Sequence, residues 1–521
     1  MLLHSFIFEQ ANLRPDKTAL EHKSEIVSYQ DLALKIRKFA NGLANLNLTK
    51  GTRVGVFLPK QAETVIAIFG SLHAGACIVP INPVLKAEQV QHVLNDCDVN
   101  VLVTSEKRLE QLNQIIKKCP NLKNIVITEE TSAKEYEFIT ISTWNSFCIN
   151  KEINTIELEA SDLAAIFYTS GSTGMPKGVV LTHENMCVGA KSVASYLNNS
   201  DQDRILALLP LSFDYGFSQL TTAFSVGATI VLLDYLLPKD VLNAIQKYRI
   251  SGLAGIPSLW SQLVKLTFPG CVQKNLRYIT NSGGAMPEKL TNKLSNLLPK
   301  TDIYLMYGLT EAFRSTYLPP NKLSSHPTSI GKAIPNAELF IINEDNEECP
   351  PEEIGELVHA GSLVAKGYWD HSTKTVEKFK PLPDSIASKH SFKLAVRSGD
   401  LVKKDKEGYL YFIGRKDEMI KTSGYRVSPS EIEDAILQFE IVKECAAFGV
   451  PNDELGQAII AVATCTKQHS ETSNNIIASL KKILPGYMIP KEIIIKTELP
   501  ININGKIDRD SLRIEIESLS K

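Results

Sequence analysis

Apolar positions along the first four hundred residues alternate between two periods. Short runs rich in β-branched residues, RVGVF (53–57), VNVLV (99–103), NIVI (124–127) and ATIVL (228–232), have the length and texture of buried strands. Between them lie stretches with helical spacing. After Ser28, the residues Leu32, Ile36, Phe39, Ala40 and Leu43 fall on one helical face, and Asp31 sits three positions on as a capping partner. The longest apolar stretch, 65–81, contains Ser71, His73 and Pro80. It reads as a buried helix, a turn and a strand, not as a membrane span. This alternation predicts an α/β fold with a large multi-layer N-terminal domain built mainly on parallel sheets.

Near residue 414 the texture changes. Charges cluster at KKDKEG (403–408) and RKDE (415–418), and a small α+β pattern follows. A helix is expected from Pro429, with Ser428 as its cap and Glu431 closing a capping box. Strands are expected around 446–450, 459–464 and 492–496, and a helix near 476–484. The expected division is 1–413 for the N-terminal domain and 414–521 for a small mobile C-terminal domain. A chain of 521 residues is in any case long for one core.

Composition narrows the class. The net charge is -2, so bulk electrostatics gives no reason to expect a nucleic-acid partner. Nine cysteines lack CxxC spacing, which points to reduced thiols in a cytoplasmic protein and not to a disulfide framework or a zinc site. The start, MLLHSFIFEQ, has neither a basic region nor a small-residue cleavage site, and no integral membrane segment is expected.

The densest chemistry lies in YTSGSTGMPKG (168–178), directly after the strand-like LAAIF (163–167). Thr169, Ser170, Gly171, Ser172, Thr173, Gly174 and Lys177 combine backbone access, neutral hydroxyl donors and one cation. That suits the phosphates of a nucleoside triphosphate. The spacing is not the Walker pattern, because Met175 and Pro176 separate the last glycine from the lysine. A flexible linker is the plain alternative for a short Gly/Ser run.

This loop resembles the phosphate-loop signature of the AMP-forming adenylating superfamily, which includes acyl-CoA synthetases, carrier-protein adenylation domains and luciferases. Further matches follow in family order: NSGGAMP (281–287), MYGLTE (306–311), RSGD (397–400), GRKDEMIKTSGYRVSPSEIE (414–433) and INGKIDR (503–509). The resemblance implies ATP-dependent adenylation of a carboxylic acid, followed by transfer to a thiol. It implies Glu311, with Thr173, as the Mg²⁺ ligands and Thr310 as an α-phosphate contact. Gly283, Gly284, Ala285 and Tyr307 would sandwich the adenine, Asp400 would take the ribose hydroxyls, and Arg415 the ribose and phosphate. Lys506 would bridge the attacking carboxylate and the α-phosphate. Asp417 matches the hinge about which the C-terminal domain turns, and Lys421 and Gly424 match the segment that lines the thiol tunnel. Outside the resemblance, Glu311 reads as a helix-start residue, Asp400 as a turn residue and Lys506 as an exposed hairpin lysine.

One segment departs from the acyl-ligase pattern. LPLSFDYGF (209–217) corresponds to the acid-pocket helix, and Phe213 and Asp214 stand where fatty-acyl and aryl ligases often carry phenylalanine and histidine. Phe-Asp there resembles amino-acid adenylation domains, in which the aspartate pairs with the substrate ammonium. Asp214 reads equally well as a helix cap. No phosphopantetheine attachment signature is present, so the thiol acceptor is expected in trans: coenzyme A, or the phosphopantetheine of a separate carrier protein. The expectation is an acyl-CoA synthetase. Carrier-protein loading is the first alternative, and a non-catalytic scaffold is the second.

Overall fold

The computed structural model describes residues 1–519 except 131–137, 151–155, 170–175, 389–391, 393, 417, 423–424, 453–454, 467–470 and 503–505. Contacts divide it into two compact units. The first holds Met1–Pro327, Gly331–Leu339 and His359–Val396; the second holds Thr328–Ile330, Phe340–Val358 and Arg397–Lys521.

The first unit is built on two large sheets. One contains the strands Arg53–Phe57, Cys77–Pro80, Val101–Thr104, Asn124–Ile127 and Leu163–Thr169, which pair in parallel. The hairpin partner Lys177–Thr182 and the short strand Gly367–Tyr368 extend it in the antiparallel sense. The other sheet runs parallel through Asp302–Tyr307, Tyr278–Asn281, Gly252–Gly255, Arg204–Ala207, Thr229–Leu232 and Thr18–His22. Strands buried on both faces read as continuous apolar runs, and Val101–Thr104, Thr229–Leu232 and Cys77–Pro80 are buried at every position. The main apolar core joins residues of both sheets to the helices Tyr29–Ala44, Ala62–His73 and Asp214–Val226. This is the mainly parallel α/β architecture expected from the alternation.

Local signals behave as their chemistry dictates. Ser28 caps Tyr29–Ala44: its Oγ accepts the Asp31 N–H at 3.1 Å, and its hydroxyl donates to the Asp31 carboxylate at 2.7 Å. The 65–81 stretch is the helix Ala62–His73 and the strand Cys77–Pro80, and among the described residues no helix is long and apolar enough to cross a membrane. All nine cysteines are free thiols.

In the second unit, a helix Pro429–Leu437 and a five-stranded sheet enclose a small core. The strands Val442–Asn452 and Gly456–Cys465 pair antiparallel, and Glu492–Lys496 adds in parallel. The later helix runs Glu471–Leu480, earlier than the 476–484 pattern suggested. One expectation fails here. Ser428 stands at the N-cap of the helix but makes no capping bond, because its hydroxyl donates instead to the Ile413 carbonyl. The serine ties the helix start to the earlier strand Leu410–Arg415.

Candidate active site

In the first unit the antiparallel strands Leu163–Thr169 and Lys177–Thr182 carry the glycine-rich segment between them, with Thr169 opposite Lys177. Ser170, Gly171, Ser172, Thr173 and Gly174 lie outside the described residues. Both stems are held by one helix, Ala87–Asp96. The Tyr168 hydroxyl donates to the Asp96 carboxylate at 2.6 Å. His92 Nε2 stands 3.0 Å from the Pro176 carbonyl and, facing an acceptor, must carry the proton. His92 and Asp96 are four residues apart, hence one turn apart on one helix face. Burial, first of several causes, raises the Tyr168 pKa and keeps the phenol a donor.

Lys177 reaches the Tyr368 ring, with Nζ 5.7 Å from its centroid, and the Tyr368 hydroxyl donates to Glu311 Oε1 at 2.6 Å. Glu311 lies in the 3₁₀ turn Thr310–Ala312, just beyond the C-terminal end of the strand Asp302–Tyr307. Its backbone carbonyl accepts the Ala365 N–H at 2.8 Å. The fold thus brings Lys177 and Glu311, distant in sequence, to one place. Burial, and then the neighbouring Lys374, hold the Lys177 ammonium below its ordinary pKa, while Glu311 acts in the opposite sense.

The Gly283, Gly284 and Ala285 turn follows the strand Tyr278–Asn281, which neighbours Asp302–Tyr307 in parallel register. Gly283 and Tyr307 therefore project from adjacent carboxyl ends, where open α/β sheets bind ligands. Gly283 has φ +78°, a left-handed conformation that favours glycine. The three turn residues are exposed, Tyr307 and Thr310 are half-buried, and the Asn281 amide secures the turn by donating to the Gly284 carbonyl at 3.1 Å. An exposed backbone turn beside an aromatic ring fits a flat base.

Asp214 is not a helix cap. Phe213 occupies the N-cap position without a side-chain bond, and Asp214 lies inside the first turn of Asp214–Val226. Its Oδ2 lies 3.3 Å from Arg314 Nη1. Arg314 is buried; Nη2 donates to Ser218 Oγ at 3.1 Å, and the guanidinium lies 4.6 Å from the Tyr215 ring centroid. Arg314 Nε finds no hydrogen-bond partner among the described residues.

Asp400 and Arg415 both lie in the second unit, on the antiparallel strands Leu394–Lys404 and Leu410–Arg415, where they stand opposite each other. The Arg415 guanidinium stands 3.1 Å from the buried Asp400 carboxylate. Asp417 and Gly424 lie outside the described residues, as does the side chain of Lys421 on the strand Ile420–Thr422. Lys506 is exposed, and its backbone N–H donates to Asn502 Oδ1 at 3.1 Å. Next to it, Arg509 forks onto Glu433 of the helix Pro429–Leu437, at 2.7 to 3.1 Å.

Two of these arrangements, a lysine beside a carboxylate and a base-sized turn at the strand ends, are what nucleotide adenylation requires. Residues 7–369 match the AMP-binding enzyme family, and residues 431–506 match the AMP-binding enzyme C-terminal domain. The chain belongs to the AMP-binding enzyme family.

Within this family the chain is 28% identical to a long-chain-fatty-acid–CoA ligase of Salmonella typhimurium, covering 98% of this chain and 94% of that protein. It is 30% identical to a segment of tyrocidine synthase 3 of Brevibacillus parabrevis, covering 98% of this chain and 8% of that protein. The chain spans a tenth or less of the length of that synthase and of its linear gramicidin synthase relatives. ATP-bound MatB from Rhodopseudomonas palustris shares the fold at TM-score 0.86 and 24% identity, with all of both chains covered. The anthranilate CoA ligase AuaEII, in complex with anthranoyl-AMP, does so at TM-score 0.88 and 24% identity, covering 100% of this chain and 98% of that one.

Tyr368, His92, Asp96 and Arg314 were not singled out from the sequence. Tyr368 stands in an unremarkable GYW, and nothing local ties it to Glu311. The i, i+4 spacing of His92 and Asp96 was visible, but its target was not. Arg314 stands three residues after Glu311, directly beyond the MYGLTE motif, and that proximity was its one signal.

Proposed function

We propose that this protein is an AMP-forming acid–thiol ligase that adenylates a carboxylic acid with ATP and passes the acyl group to coenzyme A. The observation that carries the reading is the convergence of Lys177, Tyr368 and Glu311. A cation and a carboxylate, joined through one tyrosine, stand at the stem of a glycine-rich segment, where a metal-bound triphosphate needs them.

ATP fits the residues that the first unit brings together. The Gly283–Gly284–Ala285 turn and Tyr307 would hold the base, Asp400 the ribose, Arg415 the ribose and phosphate, and Lys177 with the segment 169–174 the β- and γ-phosphates. Mg²⁺ fits as well, since this ion is commonly held by one or two carboxylates plus phosphates and not by a dedicated protein cage. Glu311 would supply the carboxylate, Thr173, outside the described residues, would add a hydroxyl, and among the described residues no larger acidic or histidine cluster competes. When bound, the ion would neutralise phosphate charge; Thr310 would contact the α-phosphate.

Lys506 would bridge the attacking carboxylate and the α-phosphate, holding two anions together while pyrophosphate leaves. The thiol would then attack the acyl carbonyl of the adenylate, forming the thioester and releasing AMP. For that step residues 414–521 would turn about Asp417, withdrawing Lys506 and bringing Lys421 and Gly424 to the site. Coenzyme A is favoured as the thiol because the likeness to a CoA ligase runs nearly the full length of both proteins. Loading of a separate carrier protein is the second reading, favoured by the 30% likeness to a peptide-synthase segment. A cytoplasmic location belongs to the same proposal. Retention of Lys177, Glu311, Asp400, Arg415 and Lys506 argues against a non-catalytic scaffold. The test is pyrophosphate release from ATP across fatty, aryl and amino acids, with and without CoA.

A further inference from the structure

The short strand Gly367–Tyr368 pairs with Lys177–Thr182, Tyr368 opposite Val179, and the Trp369 N–H donates to the Gly178 carbonyl at 2.8 Å. The chain then turns into the helix Ser372–Lys378, which docks tightly on that strand. Tyr368 N–H donates to Thr375 Oγ1 at 3.0 Å, and a Cβ on Gly367 (φ +133°) would stand 2.5 Å from the Thr375 methyl group. With Thr375 fixed against the strand, the position of the helix beside Lys177 is set. Lys374 and Lys378 are four residues apart and so share one face of it.

These lysines are not a routine solvated face. Lys374 and Lys378 are half-buried, whereas Glu377 and Lys380 nearby are exposed. Lys374 and, more weakly, Lys378 act on Lys177 as like charges, with Glu311 as the acid beside them. Folding has gathered three ammonium groups at the stem of the glycine-rich segment, next to the carboxylate proposed to hold Mg²⁺. Like charges brought together are destabilising unless a polyanion joins them.

We propose that Lys374 and Lys378 complete, with Lys177, a binding site for the pyrophosphate portion of the nucleotide. The inference deepens the adenylation reading and rests on it: the cluster takes the β- and γ-phosphates of ATP and retains inorganic pyrophosphate after the α-phosphate bond breaks. Lysine suits the task, being a compact point charge that follows a phosphate group as it moves.

The test is calorimetric titration of the full-length protein with inorganic pyrophosphate and, separately, with AMP. Lys374→Ala and Lys378→Ala should each weaken pyrophosphate binding about tenfold while AMP affinity stays within about twofold. Lys374→Arg should restore most of the loss, and the KM for ATP should rise in the alanine variants. Unchanged pyrophosphate affinity in both alanine variants, or equal weakening of AMP and pyrophosphate, overturns the assignment. If the wild type binds AMP but not pyrophosphate, this assignment alone falls. If it binds neither and releases no pyrophosphate from ATP, the adenylation reading falls with it.

Discussion

Asp214 is paired from within the protein: its carboxylate lies 3.3 Å from the guanidinium of Arg314, which is buried beside Tyr215 and Ser218. A carboxylate facing a carboxylic-acid substrate would be repulsive without such a cation. Arg314 therefore removes the need to invoke a substrate ammonium group, although it does not forbid one. It also replaces the helix-cap explanation. Removing one partner of a buried pair costs about 3–5 kcal/mol. Arg314→Met should destabilise the first unit by about that much, and Asp214→Asn by less. The double variant should lose clearly less than the sum of the two single losses, because each single loss counts the broken pair. Urea unfolding of the four proteins measures this, and strict additivity would show that the contact carries no stability.

Lys506 and Lys421 should separate the two half-reactions. Lys506→Ala should abolish pyrophosphate release yet leave thioester formation from a supplied acyl-adenylate largely intact. Lys421→Ala should do the reverse, and so should Asp417→Pro, because fixing φ stiffens the proposed hinge. Equal losses in both half-reactions for each variant would reject the division of labour.

Arg509 and Glu433 pin the segment that carries Lys506 to the helix Pro429–Leu437. Glu433 also accepts the Ala447 N–H at 2.7 Å, so one carboxylate joins helix, strand and motif. The Arg509 side chain is about a third exposed, so its loss should cost less than a fully buried pair, about 2 kcal/mol. Arg509→Ala should lower the melting temperature of the second unit and slow adenylation more than Arg509→Lys does. Full activity and an unchanged melt in Arg509→Ala would refute this anchoring.

Much of the architecture was legible because period and chemistry agree locally. Asn124–Ile127 and Glu492–Lys496 form where their apolar runs stand, and Ser28 caps the helix that its spacing announces. Ser428 failed as a cap because a tertiary acceptor, the Ile413 carbonyl, outcompeted the helix N–H groups for its hydroxyl. The site was legible only where residues lie in contiguous motifs. Glu311 and Lys177 stood in such motifs, but the tyrosine that joins them comes from residue 368, and the cation that pairs Asp214 comes from a hundred residues downstream. Such pairings are decided by sheet register, which one sequence does not spell out.

Three histidines from separate elements set an acid limit on stability. His4 stacks edge-on with His73 and His183 at 5.0 and 5.9 Å, and burial, the first cause at each, lowers their pKa values to about 3, 4 and 4. The folded state holds them neutral while the unfolded chain protonates near pH 6.5. Their stability contribution is therefore complete above about pH 6.5 and is lost as pH falls toward 4, by at most about 1.4 kcal/mol per unit for each histidine. Urea midpoints of the first unit should fall between pH 7 and 5, and His73→Leu should flatten that slope. A midpoint that holds or rises on acidification would contradict the assignment.

The central claim is that this chain adenylates a carboxylic acid before any thiol acts. ATP–pyrophosphate exchange, measured with CoA absent and a panel of fatty, aryl and amino acids, tests it most directly. The account predicts acid-dependent exchange with at least one acid, abolished in Lys506→Ala. Adding CoA should yield a thioester of the same acid together with AMP. Exchange that appears only once CoA is present, or that Lys506→Ala leaves intact, would contradict it.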